Sequence, residues 1–367
     1  MISSLHLTAP AKVNLSLRIL GKRPDGYHEI ETLMAPITLA DEIELSHAHG
    51  HPSSSVVFTC NDPSLPTGDD NLCIKAAKVF QKELGHQEAV SISLLKRIPH
   101  GAGLGGGSSD AATILRGMNT LFEEPFVFEE LHQLAMQLGS DVPFFLDTQP
   151  KWCRGRGEIL GEIVSLPDWK LLLIKPPFSI ASAEAYKSFE DGKFNSKGKK
   201  ENSLARIFHH SRDEKAAKAD EARQVSNITL SSMHAYCSFP RRRELTQQPS
   251  AFPAFAVERD EKSGLAAHHL VDQLSNPNFV SIFNDLEAPI FEKYLQLPIL
   301  KSFLQMCPEV AATWMTGSGS TMVAALKKEI SAKEILHLQK KISAEFGSSF
   351  WIKESSFVFL PTASASL

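Results

Sequence analysis

The sequence predicts an α+β fold in two domains. Two observations carry that prediction. Strand-like and helix-like segments come in runs within each half rather than in regular alternation, and each half holds a glycine-rich segment flanked by periodic apolar stretches. The length, 367 residues, suffices for two domains with a sizeable core.

Each element can be justified in order. Val13, Leu15, Leu17 and Ile19 alternate with Lys12, Asn14, Ser16 and Arg18, which predicts a strand with one apolar face and one polar, solvated face. The turn cluster 21–26 then delivers Tyr27 and His28. Strands are expected at 42–45 and 56–58. Asp70 precedes a helix carrying Leu72, Ala76, Val79, Phe80 and Leu84, which Gly85 can end. A strand at 90–95 leads to Pro99-His100-Gly101-Ala102-Gly103-Leu104-Gly105-Gly106-Gly107-Ser108-Ser109, and a helix follows through Ala111, Ile114, Leu115, Met118 and Leu121, with Ser109 or Asp110 as its cap. A further helix over 128–138 stops at Gly139, just before Asp141, which alone reads as a turn former. The first domain is placed at 1–165 and the second at 166–367. The second opens with a strand at 171–174 and a short helix over 179–186. A polar, charged, proline-bearing stretch at about 192–264 is expected to be a disordered surface insertion. Periodicity returns at Leu270, with helices near 290–294 and 299–304. A strand, a second glycine loop and a strand span 314–323, followed by a helix at 332–346 and a strand at 350–353.

The segment 99–109 carries the chemistry. Five of its eleven residues are glycine, which lets backbone amides turn toward a ligand and form an anion-binding concavity. The helix behind it adds unpaired amides and a positive dipole end. No lysine follows the glycines as a P-loop requires. A dinucleotide fingerprint is literally present at Gly101, Gly103 and Gly106, but Glu123 and Glu124 sit before Pro125 rather than at the end of a second strand. The partner motifs of protein kinases are absent. Phosphate binding by another glycine-loop class is the reading left. The net charge of −4 offers no footprint for nucleic acid, and no apolar run is long enough to span a bilayer. Five cysteines without metal-type spacing read as free thiols of a cytoplasmic protein.

Five motifs in order resemble the GHMP kinases, the family of galactokinase and of homoserine, mevalonate and phosphomevalonate kinases. They are Pro10-Ala11-Lys12-Val13-Asn14-Leu15, Asp25-Gly26-Tyr27-His28, the loop 99–109 with Asp110-Ala111-Ala112, Ser140-Asp141-Val142-Pro143, and Thr316-Gly317-Ser318-Gly319. Asn284-Asp285-Leu286-Glu287 also fits. The first two are similar to the branch acting on 4-diphosphocytidyl-2-C-methyl-D-erythritol. The resemblance implies an N-terminal domain like part of ribosomal protein S5, a ferredoxin-like C-terminal domain, and transfer of the γ-phosphoryl of ATP, with Mg²⁺, to a tertiary 2-hydroxyl. It implies Lys12 and Asp141 as catalytic pair, the loop 99–109 with Asn71 and Lys96 for ATP, and Asn14, Tyr27, His28, Ser182 and Tyr186 for the cytidine substrate, with the two tyrosines stacking on cytosine. Small molecules are then its partners, with neither nucleic acid nor membrane. A non-catalytic nucleotide sensor on the same fold is the alternative.

Overall fold

The computed structural model describes residues 3–48, 50–52, 55–85, 88–163, 166, 168–192 and 282–358, all within one compact unit. The expected insertion (beyond Gly192) and the periodic stretch at Leu270 lie outside them.

The fold is α+β. Strands β1 (Ser4–Lys22) and β2 (His28–His47) form a long antiparallel hairpin. The turn between them is held by Asp25, whose Oδ1 accepts the Tyr27 amide at 3.1 Å, and by Gly26 at φ +86°. β2 divides one edge between two partners. Glu42–His47 pairs with β4 (Val90–Leu95), and Ile30–Met34 pairs with β5 (Lys151–Gly155), which turns back into β6 (Ile159–Ile163). β3 (Val56–Cys60) lies parallel to β4, and the two-residue β8 (Phe283–Asn284) lies parallel to β1. This is one seven-stranded sheet.

Helices α1 (Leu72–Leu84), α2 (Gly106–Leu121) and α3 (Phe128–Leu138) pack their apolar stripes on that sheet. Phe80, Ile114, Leu115, Met118 and Leu134 meet Ile43, Leu45, Ile92 and Leu94 in one buried cluster. The α1 cap is Asn71: its Oδ1 accepts the Cys73 amide at 2.8 Å. Gly85 ends this helix in the left-handed region at φ +68°, as the sequence predicts.

A second sheet has the order β11-β7-β10-β9, with β7 at Lys170–Lys175, β9 at Val310–Met315, β10 at Met322–Leu326 and β11 at Trp351–Ser356. Taken by sequence, its strands stand fourth, first, third, second, all antiparallel. Helix α4 (Ser182–Asp191) follows the first strand, with α5 (Glu287–Lys293) and α6 (Gln296–Met306) before the second. Helix α7 (Ala332–Phe346) joins the third to the fourth, and this gives the ferredoxin-like arrangement. A second core lies between the sheets, where Val13, Leu15 and Leu33 meet Leu171, Leu173, Trp314 and Val323.

One expectation about β1 fails here. Its apolar face is buried, but Lys12, Asn14 and Ser16 on the opposite face are buried too, at 4%, 4% and 2% exposure. Both glycine loops and the turn Pro143–Leu146 cover them. A Cβ added to Gly105 would stand 2.8 Å from the Phe145 ring and 3.0 Å from Lys12 Cγ, and one on Gly317 would stand 3.3 Å from Lys12 Nζ.

Candidate active site

Burial of that polar face makes it a site. Lys12 Nζ donates to Asn14 Oδ1 at 2.5 Å. Asn14 Nδ2 donates to Thr32 Oγ1 at 2.7 Å, and the Thr32 hydroxyl donates to Ser16 O at 2.6 Å. This chain leaves the Asn14 carbonyl facing the ammonium. The backbone is fixed as well. The Lys12 amide donates to Leu104 O at 2.9 Å, and the Asn14 amide donates to Thr316 Oγ1 at 2.8 Å. Trp314 Nε1 donates to Asn14 O at 2.8 Å. Strand β1 is therefore tied to both glycine loops at Lys12 and Asn14.

Asp141 arrives from the far side. Its Oδ2 lies 3.6 Å from Lys12 Nζ, and its side chain keeps 36% exposure where that of Lys12 keeps 5%. Buried Phe144 and Phe145 anchor the turn that presents it. Gly157 lies beside it, where an added Cβ would be in van der Waals contact with Asp141 Oδ1 at 3.4 Å. A carboxylate open to solvent beside a buried ammonium can accept a proton from an incoming hydroxyl, while the ammonium stabilises negative charge building nearby.

The loop 99–109 runs beside this pair. Gly101, Gly103 and Gly105 take φ of +63°, +75° and +70°. Gly103 packs on the second glycine loop, and an added Cβ would lie 2.7 Å from Thr316 O and 2.8 Å from Gly319 N. Helix α2 starts at Gly106, earlier than the expected caps Ser109 and Asp110, with left-handed Gly105 as its N-cap. The first i→i−4 bond is made by the Ser109 amide to Gly105 O at 2.9 Å. The amides of Gly106, Gly107 and Ser108 precede it, and they are the anion-binding end of the helix.

Asn71 and Lys96 have their side chains engaged by the protein. Asn71 caps α1 and donates to Pro66 O at 2.8 Å. Lys96 Nζ donates to Asp41 Oδ2 at 2.5 Å and to Asp110 Oδ2 at 2.7 Å, and the Arg97 and Ile98 amides donate to Asp41 Oδ1. This buried cluster braces the first turns of α2. Burial works against the Lys96 charge, and the two carboxylates overcome it, holding its pKa above the usual lysine value. Burial pushes Asp110 up to about 7, and the nearby Asp41 adds to the rise.

Of the other expected substrate residues, His28 and Tyr186 come together and Ser182 meets the second glycine loop. Tyr186 on α4 stacks on His28, with centroids 5.0 Å apart and planes 20° from parallel. Burial, and then the charge of Asp141, push its hydroxyl above the usual phenol range. His28 Nε2 lies 3.2 Å from Glu190 Oε1, and Lys22 holds the same carboxylate at 2.8 Å. Ser182 and Ser318 hydroxyls are 2.7 Å apart. Tyr27 is 54% exposed, and Arg156 lies over its ring with Cζ 4.7 Å from the centroid. The tyrosines thus each have another partner in this state, His28 for one and Arg156 for the other. Thr32, Arg156 and Glu190 were not found from sequence. The one available signal was Arg156 between two glycines, in Gly155-Arg156-Gly157.

The GHMP kinases N terminal domain profile matches residues 71–148, a span containing the loop 99–109 and Asp141. A 4-diphosphocytidyl-2-C-methyl-D-erythritol kinase of Methylacidiphilum infernorum is 35% identical over 349 residues, 94% of each chain. One of Chloroherpeton thalassium is 45% identical over 190 residues, 51% of this chain and 64% of that protein. Among solved structures, a 4-(cytidine 5'-diphospho)-2C-methyl-D-erythritol kinase superposes with a TM-score of 0.62 at 26% identity, covering 96% of this chain and 99% of the other. With its order of motifs and its joined site, the chain belongs to the 4-diphosphocytidyl-2-C-methyl-D-erythritol kinase family of GHMP kinases.

Proposed function

We propose that this protein transfers the γ-phosphoryl group of ATP to the 2-hydroxyl of 4-diphosphocytidyl-2-C-methyl-D-erythritol, a step in non-mevalonate isoprenoid precursor synthesis. The observation that carries the reading is the buried Lys12 ammonium 3.6 Å from the half-open Asp141 carboxylate, beside the amides that open α2. A nucleotide sensor would need the loop but not this pair. Asp141 takes the proton of the attacking hydroxyl, and Lys12 orients Asp141 and meets the charge that spreads over the transferring group. The loop 99–109 holds the phosphates, with Asn71 and Lys96 on the nucleotide side. Asn14, Tyr27, His28, Ser182 and Tyr186 bind the cytidine half. Residues 1–165 and 166–367 act as the two domains, meeting at the site.

Mg²⁺ fits as a metal brought in on the nucleotide. Among the described residues no cluster of three His, Cys, Asp or Glu side chains could hold a metal by itself, and Mg²⁺ bound to phosphates needs few protein ligands. Ser108, half-buried on the first turn of α2, is the hydroxyl we assign to it; when bound, the ion neutralises phosphate charge. Cys60, Cys73, Cys153 and Cys307 are free thiols, which suits a reducing cytoplasm.

The test is ADP release with ATP and a panel of alcohols: the cytidine-diphosphate methylerythritol, mevalonate and homoserine. Turnover of the first alone is expected. Asp141→Asn should cut kcat by roughly 10²–10⁴ while ATP binding persists. A near wild-type kcat in that variant would remove Asp141 from the mechanism.

A further inference from the structure

The turn between β5 and β6 is built around Arg156. Gly155 and Gly157 take φ of +74° and +120°, and the Arg156 amide donates to Glu158 Oε2 at 2.6 Å. The two glycines and this bond shape the backbone of the turn, and the side chain lies over Tyr27, where Cζ stands 4.7 Å from the ring centroid. The next residue, Gly157, is the one that abuts Asp141. One turn therefore touches both the candidate base and the exposed aromatic assigned to the cytidine.

The cations of the β1–β2 turn and of the candidate site are committed. Arg23 holds Glu29 at 2.6 Å and Asp25 at 3.2 Å, Lys22 holds Glu190 at 2.8 Å, and Lys12 faces Asn14 and Asp141. The ion-pair contact of Arg156, among the described residues, is Glu158 Oε1 at 3.9 Å, beyond hydrogen-bond reach. Its side chain keeps 29% exposure. A guanidinium with donors to spare matches phosphate oxygens in a fixed fork. It stands over the Tyr27 ring, which at 54% exposure still has surface to offer a base.

We propose that Arg156 is a specificity-determining residue for the nucleoside-diphosphate half of the substrate: it backs the Tyr27 ring on one side and offers its guanidinium to the diphosphate. This rests on the substrate reading above. A packing role alone would hold the hairpin turn and nothing else. Two variants separate these roles. Arg156→Met keeps length and much of the packing on Tyr27 but removes charge and donors, while Arg156→Lys restores charge without the planar fork.

The assay measures kcat and KM for ATP and for 4-diphosphocytidyl-2-C-methyl-D-erythritol at two ionic strengths, with Tm for each protein. Arg156→Met should raise KM for the cytidine substrate on the order of tenfold, as when a bond to a charged group is lost. KM for ATP and Tm should stay at their wild-type values. The salt dependence of the substrate KM should weaken, and Arg156→Lys should recover part of the loss. An unchanged substrate KM in Arg156→Met overturns the proposal, as does an equal rise for both substrates together with a lower Tm. A wild-type protein that does not turn over this substrate overturns the functional reading first, and the Arg156 proposal with it.

Discussion

Two glycines of the loop 99–109, four positions apart, should respond in opposite ways to the same added methyl group. Gly103 stands at φ +75° with its missing Cβ 2.7 Å from Thr316 O and 2.8 Å from Gly319 N. Alanine there costs about 1–2 kcal/mol for the left-handed backbone and a further ~1–3 kcal/mol for the overpacking. Gly107 is exposed in the first turn of α2, and the nearest atom to its missing Cβ is Leu72 Cδ1 at 4.0 Å. Folding does not require glycine there; alanine should gain about 0.5–1 kcal/mol of helix propensity, or roughly 1–4 °C in Tm. A phosphate cradled by these amides would, however, meet the new methyl group. Losing one charge-assisted hydrogen bond costs about 1.5–3 kcal/mol, so KM for ATP should rise on the order of ten- to a hundredfold. Thermal melts and steady-state kinetics on Gly103→Ala and Gly107→Ala make the comparison. Gly103→Ala should lose both stability and activity, and Gly107→Ala should gain Tm while losing ATP affinity. Should Gly107→Ala keep the wild-type KM for ATP, phosphate does not approach α2 at this turn and the placement of the nucleotide is wrong.

Other outcomes follow from the same site. Tyr27→Ala and Tyr186→Ala should each weaken the cytidine substrate by about 1–3 kcal/mol, the worth of a stacked base, with ATP affinity kept; equal loss of both ligands in calorimetry would mean general disruption instead. Asp110 holds its proton in the folded chain up to about pH 7, whereas an unfolded aspartate loses it near pH 4. Unfolding therefore releases a proton within that window, and stability from this group falls as pH rises through it. The Tm of Asp110→Asn relative to wild type should climb from pH 4.5 to pH 7.5; a constant difference would show that Asp110 is already ionised.

How much of this was legible in the sequence differs by element. The alternation in β1 placed Val13, Leu15 and Leu17 inside, and all are buried. It could not say what lies over Lys12 and Asn14, because the cover comes from Thr316 and Gly317, far along the chain. The helical period located α2, yet its start was read at polar caps. The true start uses Gly105 in the left-handed region, which leaves the first amides without a side-chain cap. The β5–β6 hairpin carries no legible strand pattern, since Lys151, Arg154 and Arg156 break the apolar alternation of a strand. The Asp41–Lys96–Asp110 cluster joins β2, α2 and the residue after β4, and charge pairing at such separation leaves no local pattern.

The bond from the Asn14 amide to Thr316 Oγ1 spans 302 positions, and β1 has β8, at Phe283–Asn284, along one edge. During synthesis β1, with Lys12, emerges first and pairs early with β2, while β8 on its other edge and Thr316 on its polar face emerge near the end. At 5–20 residues per second, Asn14 waits about 15–60 s for Thr316 to be made. For that interval β1 has an open edge and an uncovered lysine, the kind of strand that invites mispairing. The protein is then most exposed to aggregation while it is being made, and slower translation would lengthen that exposure.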